Sequence, residues 1–417
     1  MLKKATTFLS SEVVSVLLTA LTGFLIIHHL SKEVYGVYGF IVTAIALVIS
    51  FSEIGMNHCF LPLVGYENVN QFKIQQVYVF FKRIRNKLII VSSFLVILPT
   101  FWLMYTKDWL SNTYSLAVIL MLIGAVLEVN NQLLRQRATA FHNYKLVSKI
   151  NLYSSFFRSA FIILSIFILP KSYIVISLAL SSISGPLIGI WAYNKDINFD
   201  NLSNVMSDTL EFKDLNIAFR KLYNPLFFPA FLFILYGSFG SIAIAWFGNL
   251  IAIANVNAAA RLGMALILVD KFVGMFVVPK LAQTNDTAVY FNLFKKYLLF
   301  FIGIISLIVL SAKLFPELWL LLIGTKYNDL KDILWISFSA LVLLSLSGFV
   351  FSCMAARGYT SNQLPILIVA IMVQFSAIYF LGMETARSVF LISLMTSSIF
   401  AIGQMILFIQ KYKTFNL

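Results

Sequence analysis

The sequence predicts an all-α integral membrane protein with twelve transmembrane helices in two six-helix bundles. Three observations carry this. Of 417 residues, 60% are hydrophobic and 12% charged, with a mean hydropathy of +0.89, more apolar side chain than a water-facing surface tolerates. A spanning helix needs about 20 mainly apolar residues, and the chain divides into twelve such runs. Finally, one stretch recurs: Val34-Tyr35-Gly36-Val37-Tyr38-Gly39, an apolar run, Glu53 and Pro62 are followed in the second half by Asn255-Val256-Asn257-Ala258-Ala259-Ala260-Arg261-Leu262, an apolar run, Asp270 and Pro279. In both copies the acid precedes the proline by nine positions.

Taken in order, the first span runs from Phe8 to Leu30 and the second from Gly36 to Pro62. The next four are Leu88 to Tyr105, Tyr114 to Gln136, Val147 to Leu169 and Tyr173 to Tyr193. A polar stretch over 194–221 contains Asp196, Asp200, Asp208, Glu211 and Asp214 among basic residues, and is read as a cytoplasmic linker between an N-terminal bundle, 1–193, and a C-terminal bundle, 222–417. The remaining spans are Leu222 to Phe247, Asn255 to Pro279, Phe294 to Phe315, Ile333 to Ala356, Leu364 to Gly382 and Ser388 to Gln410. An even number of spans per half means that both halves enter the membrane in the same sense. Such parallel repeats are related by an axis along the membrane normal, and alternating access arises by rocking one against the other.

Charge sets the orientation, because Lys and Arg collect in short cytoplasmic loops. With the N-terminus inside, the inner segments include Lys73, Lys82, Arg83, Arg85 and Lys87, then Arg135, Arg137, Lys145 and Lys149, then Lys213, Arg220 and Lys221. The outer loops hold Lys32, Lys107, Lys171, Lys326, Lys331 and Arg387. Both termini are therefore placed in the cytoplasm. The same bias accounts for the net charge of +14, which suits an anionic inner leaflet and gives no reason to expect nucleic acid as a partner.

Other classes find little support. Met1-Leu2-Lys3-Lys4 before an apolar run resembles a signal peptide, but the run is too long and lacks a small-residue cleavage site, so it reads as the first span. Cys59 and Cys353 both fall in spans and form no disulfide framework. His28, His29, His58 and His142 sit at span ends, where polar residues are ordinary, so no metal is assigned. The longest outer loop, around Glu317 to Asp332, leaves no room for an extramembrane catalytic domain, and the scattered glycines form no phosphate-cradling loop.

Charges within spans are the candidate site. Arg158 lies about twelve residues, or 18 Å of helix, into the fifth span. An arginine at that depth costs about 2.5–3.5 kcal/mol on insertion scales, so it needs a wet cavity or a partner. Arg261 and Lys271 lie in the eighth span with Asp270, and Arg261 and Asp270 point to opposite faces of a straight helix. Neither arginine has an acid three or four positions away. Glu12, Glu53 and Glu128 are further intramembrane acids, Glu12 being flanked by a stripe of Ser11, Ser15, Thr19 and Thr22 at helical spacing. Two readings stay open. The charges form internal ion pairs that fix helix packing, or the cations bind an anionic substrate through paired hydrogen bonds while an acid couples transport to protons or sodium.

The segments Ser31-Lys32-Glu33-Val34-Tyr35-Gly36-Val37-Tyr38, Phe51-Ser52-Glu53-Ile54-Gly55-Met56 and Asn255 to Leu262 followed by Pro279 resemble the polysaccharide exporters of the multidrug/oligosaccharidyl-lipid/polysaccharide superfamily. Length and span number are most similar to the O-antigen flippases known as Wzx. The second copy departs from the pattern, with Asn255 and Asn257 in place of glycine and tyrosine. The resemblance implies a V-shaped pair of bundles with a central cationic cavity in a bacterial inner membrane. It implies a non-enzymatic flippase with no cofactor beyond a proton or sodium gradient, moving an undecaprenyl-pyrophosphate-linked oligosaccharide through membrane lipid. An O-antigen polymerase and a chain-length regulator would be its pathway partners. Arg158, Arg261 and Lys271 would line the cavity, and Glu12, Glu53, Glu128 and Asp270 would couple or form its wall. Three rivals are weighed against it. A multidrug antiporter would carry a more acidic cavity, a lipid II flippase two further spans, and an O-antigen polymerase or ligase a sizeable periplasmic loop carrying arginines.

Overall fold

The computed structural model describes residues 2–64, 71–141, 143–170, 173–196, 209–273, 277–282, 284, 286–355 and 362–413. All secondary structure among them is helical. In the first half the helices are α1 (Leu2–His29), α2 (Lys32–Glu53), α3 (Asn57–Val64), α4 (Gln71–Thr106), α5 (Asn112–Ala140), α6 (Tyr144–Ile168) and α7 (Ile174–Asp196). Then follow α8 (Thr209–Phe247), α9 (Leu250–Leu262), α10 (Met264–Phe272), α11 (Val278–Ala282), α12 (Thr287–Leu314), α13 (Pro316–Ile323), a 3-10 helix over Thr325–Leu330, α14 (Leu334–Ala355), α15 (Gln363–Leu381) and α16 (Ala386–Lys413).

Among the described residues eleven helices are long and apolar enough to cross a membrane. The eighth expected span is the exception, being broken into α9, α10 and α11. The second is broken too, between Glu53 and Asn57, where Ile54 and Gly55 take φ of 27° and 74°. A β-branched residue at positive φ is a true outlier. Gly55 is required there twice over, since a Cβ would also stand 3.1 Å from the Ala230 Cβ. The first copy of the repeated stretch thus interrupts its helix after the acid and resumes it before the proline; in the second, α10 ends at Phe272 and α11 begins at Val278, and residues 274–276 lie outside the described residues. Large apolar side chains left open, such as Phe94, Leu95, Phe167 and Phe380, are the surface expected against lipid.

Cα proximity divides the chain into two compact units, Met1–Leu30 with Val37–Ser238, and Ser31–Gly36 with Phe239–Leu417. The division falls inside α8, farther along than the 194–221 stretch. The reason is aromatic packing of the first half of α8 within the first unit: Phe219 lies among Phe80, Phe81 and Tyr223, and Phe231 lies 5.9 Å from Phe51. Of the linker, residues 197–208 lie outside the described residues, and so do His142 and Arg357.

The repeat extends to helix pairing. In the first unit α5 packs on α7, α6 on α7, α4 on α5, and α3 on both α4 and α5. In the second unit α14 packs on α16, α15 on α16, α12 on α14, and α11 on both α12 and α14. The α1 and α6 pair has no packed counterpart of like extent among the described residues, where Phe239 of α8 meets Phe375 of α15 at 4.8 Å. A faint sequence repeat therefore marks two copies of one bundle.

Candidate functional site

The first unit contains a polar ladder of two bonded groups that meet at the neighbouring residues Arg135 and Gln136 of α5. It starts where α2 ends, because the turn at Ile54 and Gly55 sets Asn57 at the head of α3 beside Glu53. Asn57 Nδ2 donates to Glu53 Oε2 at 2.6 Å, while Asn57 Oδ1 accepts from both Arg85 Nη2 and Gln136 Nε2. Those two donors use both lone pairs of that amide oxygen. Arg85 Nη2 stands 3.5 Å from Glu53 Oε1, and Nη1 donates to the Val129 carbonyl at 3.3 Å. Only 1% of the Arg85 side chain is exposed.

Arg135 carries the ladder onward. It lies two turns from Glu128 on the same face of α5, and its Nη2 meets Glu128 Oε1 at 2.6 Å. Its Nη1 donates to Asn151 Oδ1 of α6 at 2.8 Å, and Asn151 Nδ2 in turn donates to Glu12 Oε1 of α1. Glu128 Oε2 lies 3.6 Å from Arg158 Nη2. Ser15 and Ser155 hydrogen-bond where α1 packs on α6. Six helices are thereby tied through three arginines and three glutamates. A cavity of about 380 Å³ opens onto the ladder, bounded by Glu53, Asn57, Phe60, Leu61, Gln132, Arg135, Gln136 and Thr139.

The expected site residues are thus partly brought together. Glu12, Glu53, Glu128 and Arg158 join one network. The acid missing beside Arg158 in sequence comes from another helix, Glu128, so the internal-pair reading has its partner, yet 39% of the arginine side chain stays exposed. Arg261, Asp270 and Lys271 belong to the second unit. Arg261 is half-buried and makes no ion pair among the described residues. The helix carrying it is interrupted at Gly263, so the straight-helix argument separating it from Asp270 does not apply. Asp270 accepts from the Ser345 hydroxyl and lines a second cavity of about 350 Å³ with Leu266, Leu341 and Phe349.

Four participants escaped the sequence reading. Arg85 was assigned to a cytoplasmic loop, but α4 is one helix of 36 residues, about 54 Å long, beginning well before the third apolar run. Arg135, Asn151 and Asn57 were also not singled out. In the second unit Lys32 Nζ meets Asp329 Oδ1 at 2.7 Å and lies 5.1 Å over the Tyr327 ring, while Asn255 Nδ2 donates to Asp329 Oδ2 at 2.6 Å. Asn255, a departure from the expected motif, therefore has a bonding role. Burial pushes the Tyr327 hydroxyl well above its ordinary pKa, so it stays protonated. Among the described residues no three His, Cys, Asp or Glu side chains converge as metal ligands.

No family model matches the sequence, and no curated protein matches it. Solved structures do. An inward-facing multidrug resistance MATE family transporter of the MOP superfamily superposes with a TM-score of 0.77 at 14% identity, over 98% of each chain. Lipid II flippase MurJ in an inward closed conformation gives 0.68 at 16% identity, over 96% of this chain and 86% of that one. The Vibrio cholerae MATE transporter VcmN in the bent form gives 0.58 at 16% identity, over 99% and 96%. The chain has the fold that these multidrug transporters share with the lipid II flippase.

Proposed function

We propose that this protein is a flippase of the bacterial inner membrane. It moves an undecaprenyl-pyrophosphate-linked O-antigen or related polysaccharide repeat unit from the cytoplasmic to the periplasmic leaflet by ion-coupled alternating access. The observation that carries this reading is the arginine ladder within a transporter fold. Arg135 and Arg158 keep 27% and 39% of their side chains exposed despite their ion pairs, so each can still offer N–H groups to phosphate oxygens. Arg261 and Lys271 add positive charge in the second unit. The fold is also that of a protein named for flipping lipid II, another lipid-linked saccharide.

Coupling is assigned first to Asp270. Glu53 and Glu128 each already face an arginine, whereas Asp270 is held by a serine hydroxyl in an open cavity, with no guanidinium beside it for an entering cation to displace. Glu12, Glu53 and Glu128 then form the polar wall.

The test is complementation of an O-antigen strain deleted for its flippase, at matched membrane expression. Wild type restores long-chain O-antigen, and Arg158→Ala and Arg261→Ala do not. If both variants are fully active, the flippase reading stands and the arginine assignment fails. If wild type fails even in its native strain background while conferring drug resistance, the multidrug antiporter reading replaces this one; the likeness to a multidrug MATE transporter makes that the relevant rival.

A further inference from the structure

We infer that the cavity between α3 and α5 is a binding site for a neutral sugar ring, the carbohydrate part of the cargo rather than its phosphates. The inference rests on the flippase reading and deepens it. Glu53, Gln132 and Gln136 line this one cavity, and each carries a buried side-chain oxygen without a hydrogen-bond partner among the described residues, Glu53 Oε1, Gln132 Oε1 and Gln136 Oε1, the first having only the Arg85 ion pair at 3.5 Å. Each is an acceptor, and a buried acceptor left unpaired is costly, so the cavity is built to receive donors.

The class of donor follows from what surrounds the oxygens. A phosphate or pyrophosphate brings only acceptors at neutral pH and would stand against the Glu53 carboxylate, so it leaves the three oxygens unpaired. A metal cation would suit oxygen ligands, but Arg85 lies 3.5 Å from Glu53 Oε1 and Arg135 lines the same cavity, so it would sit between two guanidinium groups. A sugar hydroxyl donates and accepts at once. It can give a proton to each orphan oxygen or to Thr139 Oγ1, whose own proton goes to the Arg135 carbonyl, and accept from the Arg135 guanidinium. Phe60 and Leu61 supply an apolar wall suited to the C–H face of a pyranose. The volume, about 380 Å³, lies at the small end of the range typical of ligand pockets.

The test uses the full-length protein in lipid nanodiscs and reads the shift in Tm with three kinds of probe. These are a panel of neutral hexoses and N-acetylhexosamines in sodium-free buffer, sodium chloride against choline chloride, and inorganic pyrophosphate. At least one sugar of the panel raises the Tm, and its apparent Kd weakens about tenfold in Gln132→Leu and in Gln136→Leu, as expected for one lost hydrogen bond. Arg158→Ala leaves the sugar response intact. Replacing an orphan acceptor with leucine keeps or raises the Tm of the sugar-free protein. Should either leucine variant not fold, Thr139→Val, which removes a hydroxyl from the same cavity, takes its place with the same expected weakening.

The inference is overturned if no sugar of the panel shifts the Tm, if the shift survives in the cavity variants, or if sodium gives a shift that those variants abolish. The two readings fail separately. A sugar response without complementation by wild type removes the flippase and keeps the site; complementation without a sugar response does the reverse.

Discussion

The two bundles repeat the same helix pairs yet fill them with different chemistry. In the first, the space between α2, α4 and α5 holds Glu53, Arg85 and the amides that bond them. In the second, the pairing of α12, α14 and α16 encloses stacked aromatics: Phe294 lies 3.8 Å from Phe408, Phe301 lies 4.9 Å from Phe349, and the Tyr290 hydroxyl donates to the Cys353 carbonyl at 2.9 Å. Apolar burial and stacking hold helices together with no polar group to satisfy. Buried ion pairs rarely add stability over an apolar replacement, since desolvation offsets their attraction. A bundle that can be built with phenylalanine has no packing need for the partly exposed Arg135 and Arg158, and the proposed cargo role would account for them.

The largest effects should come from breaking either interior. Arg85→Ala takes the cation from the largely buried Glu53 carboxylate and a donor from Asn57, and is expected to lower stability by about 3–5 kcal/mol, read by thermal unfolding in nanodiscs. The double variant Arg85→Met with Glu53→Leu should recover most of that loss; if it does not, the pair is held by more than its charges. Phe294→Ala in the second bundle is expected to cost a similar amount, about 3–5 kcal/mol, through a cavity against Phe408 and Phe349. No second substitution of polar type should rescue it, and that asymmetry distinguishes the two interiors.

Smaller effects test the packing itself. A Cβ on Gly124 of α5 would stand 2.8 Å from the Ser182 carbonyl oxygen of α7, a backbone atom with little room to yield. Gly124→Ala is expected to cost about 1–3 kcal/mol. A Cβ on Gly403 of α16 would stand 2.8 Å from the Ile366 Cγ2 of α15, a side chain that can turn aside. Gly403→Ala should therefore cost less than Gly124→Ala in the same unfolding assay.

The smallest effect is expected at the exposed pair of Glu317 and Lys331. Their hydrogen bond and charge hold the Glu317 carboxyl below its ordinary range and raise the Lys331 ammonium. A depressed carboxyl adds stability above its unfolded pKa and loses it as pH falls through the folded one. Both groups are fully exposed, so screening reduces the term, and Lys331→Ala should leave Tm unchanged at physiological salt.

What the sequence disclosed follows from the range of its signals. Span positions were legible because lipid imposes length and apolarity on each helix, and the repeat because Glu53 with Pro62 and Asp270 with Pro279 keep one spacing. Three features were not legible. The positive-inside rule reports which side a cation lies near, not whether it is buried in a helix, so Arg85 passed for a loop residue. Spacings of three or four find partners on one helix, whereas Arg158 meets Glu128 and Arg85 meets Glu53 across helices. The interruption after Glu53 depends on φ at Ile54 and Gly55, and an apolar run with a single glycine does not announce it.

The central claim is that the partly exposed arginines of the first bundle, Arg135 and Arg158, serve the cargo. It is tested most directly by Arg158→Met, which leaves Glu128 its bond to Arg135, scoring long-chain O-antigen in the flippase-deleted strain at matched expression alongside Tm. The account predicts a protein of near wild-type stability that no longer complements. A variant that folds and restores long-chain O-antigen as wild type does would contradict it, leaving Arg158 a helix-packing residue.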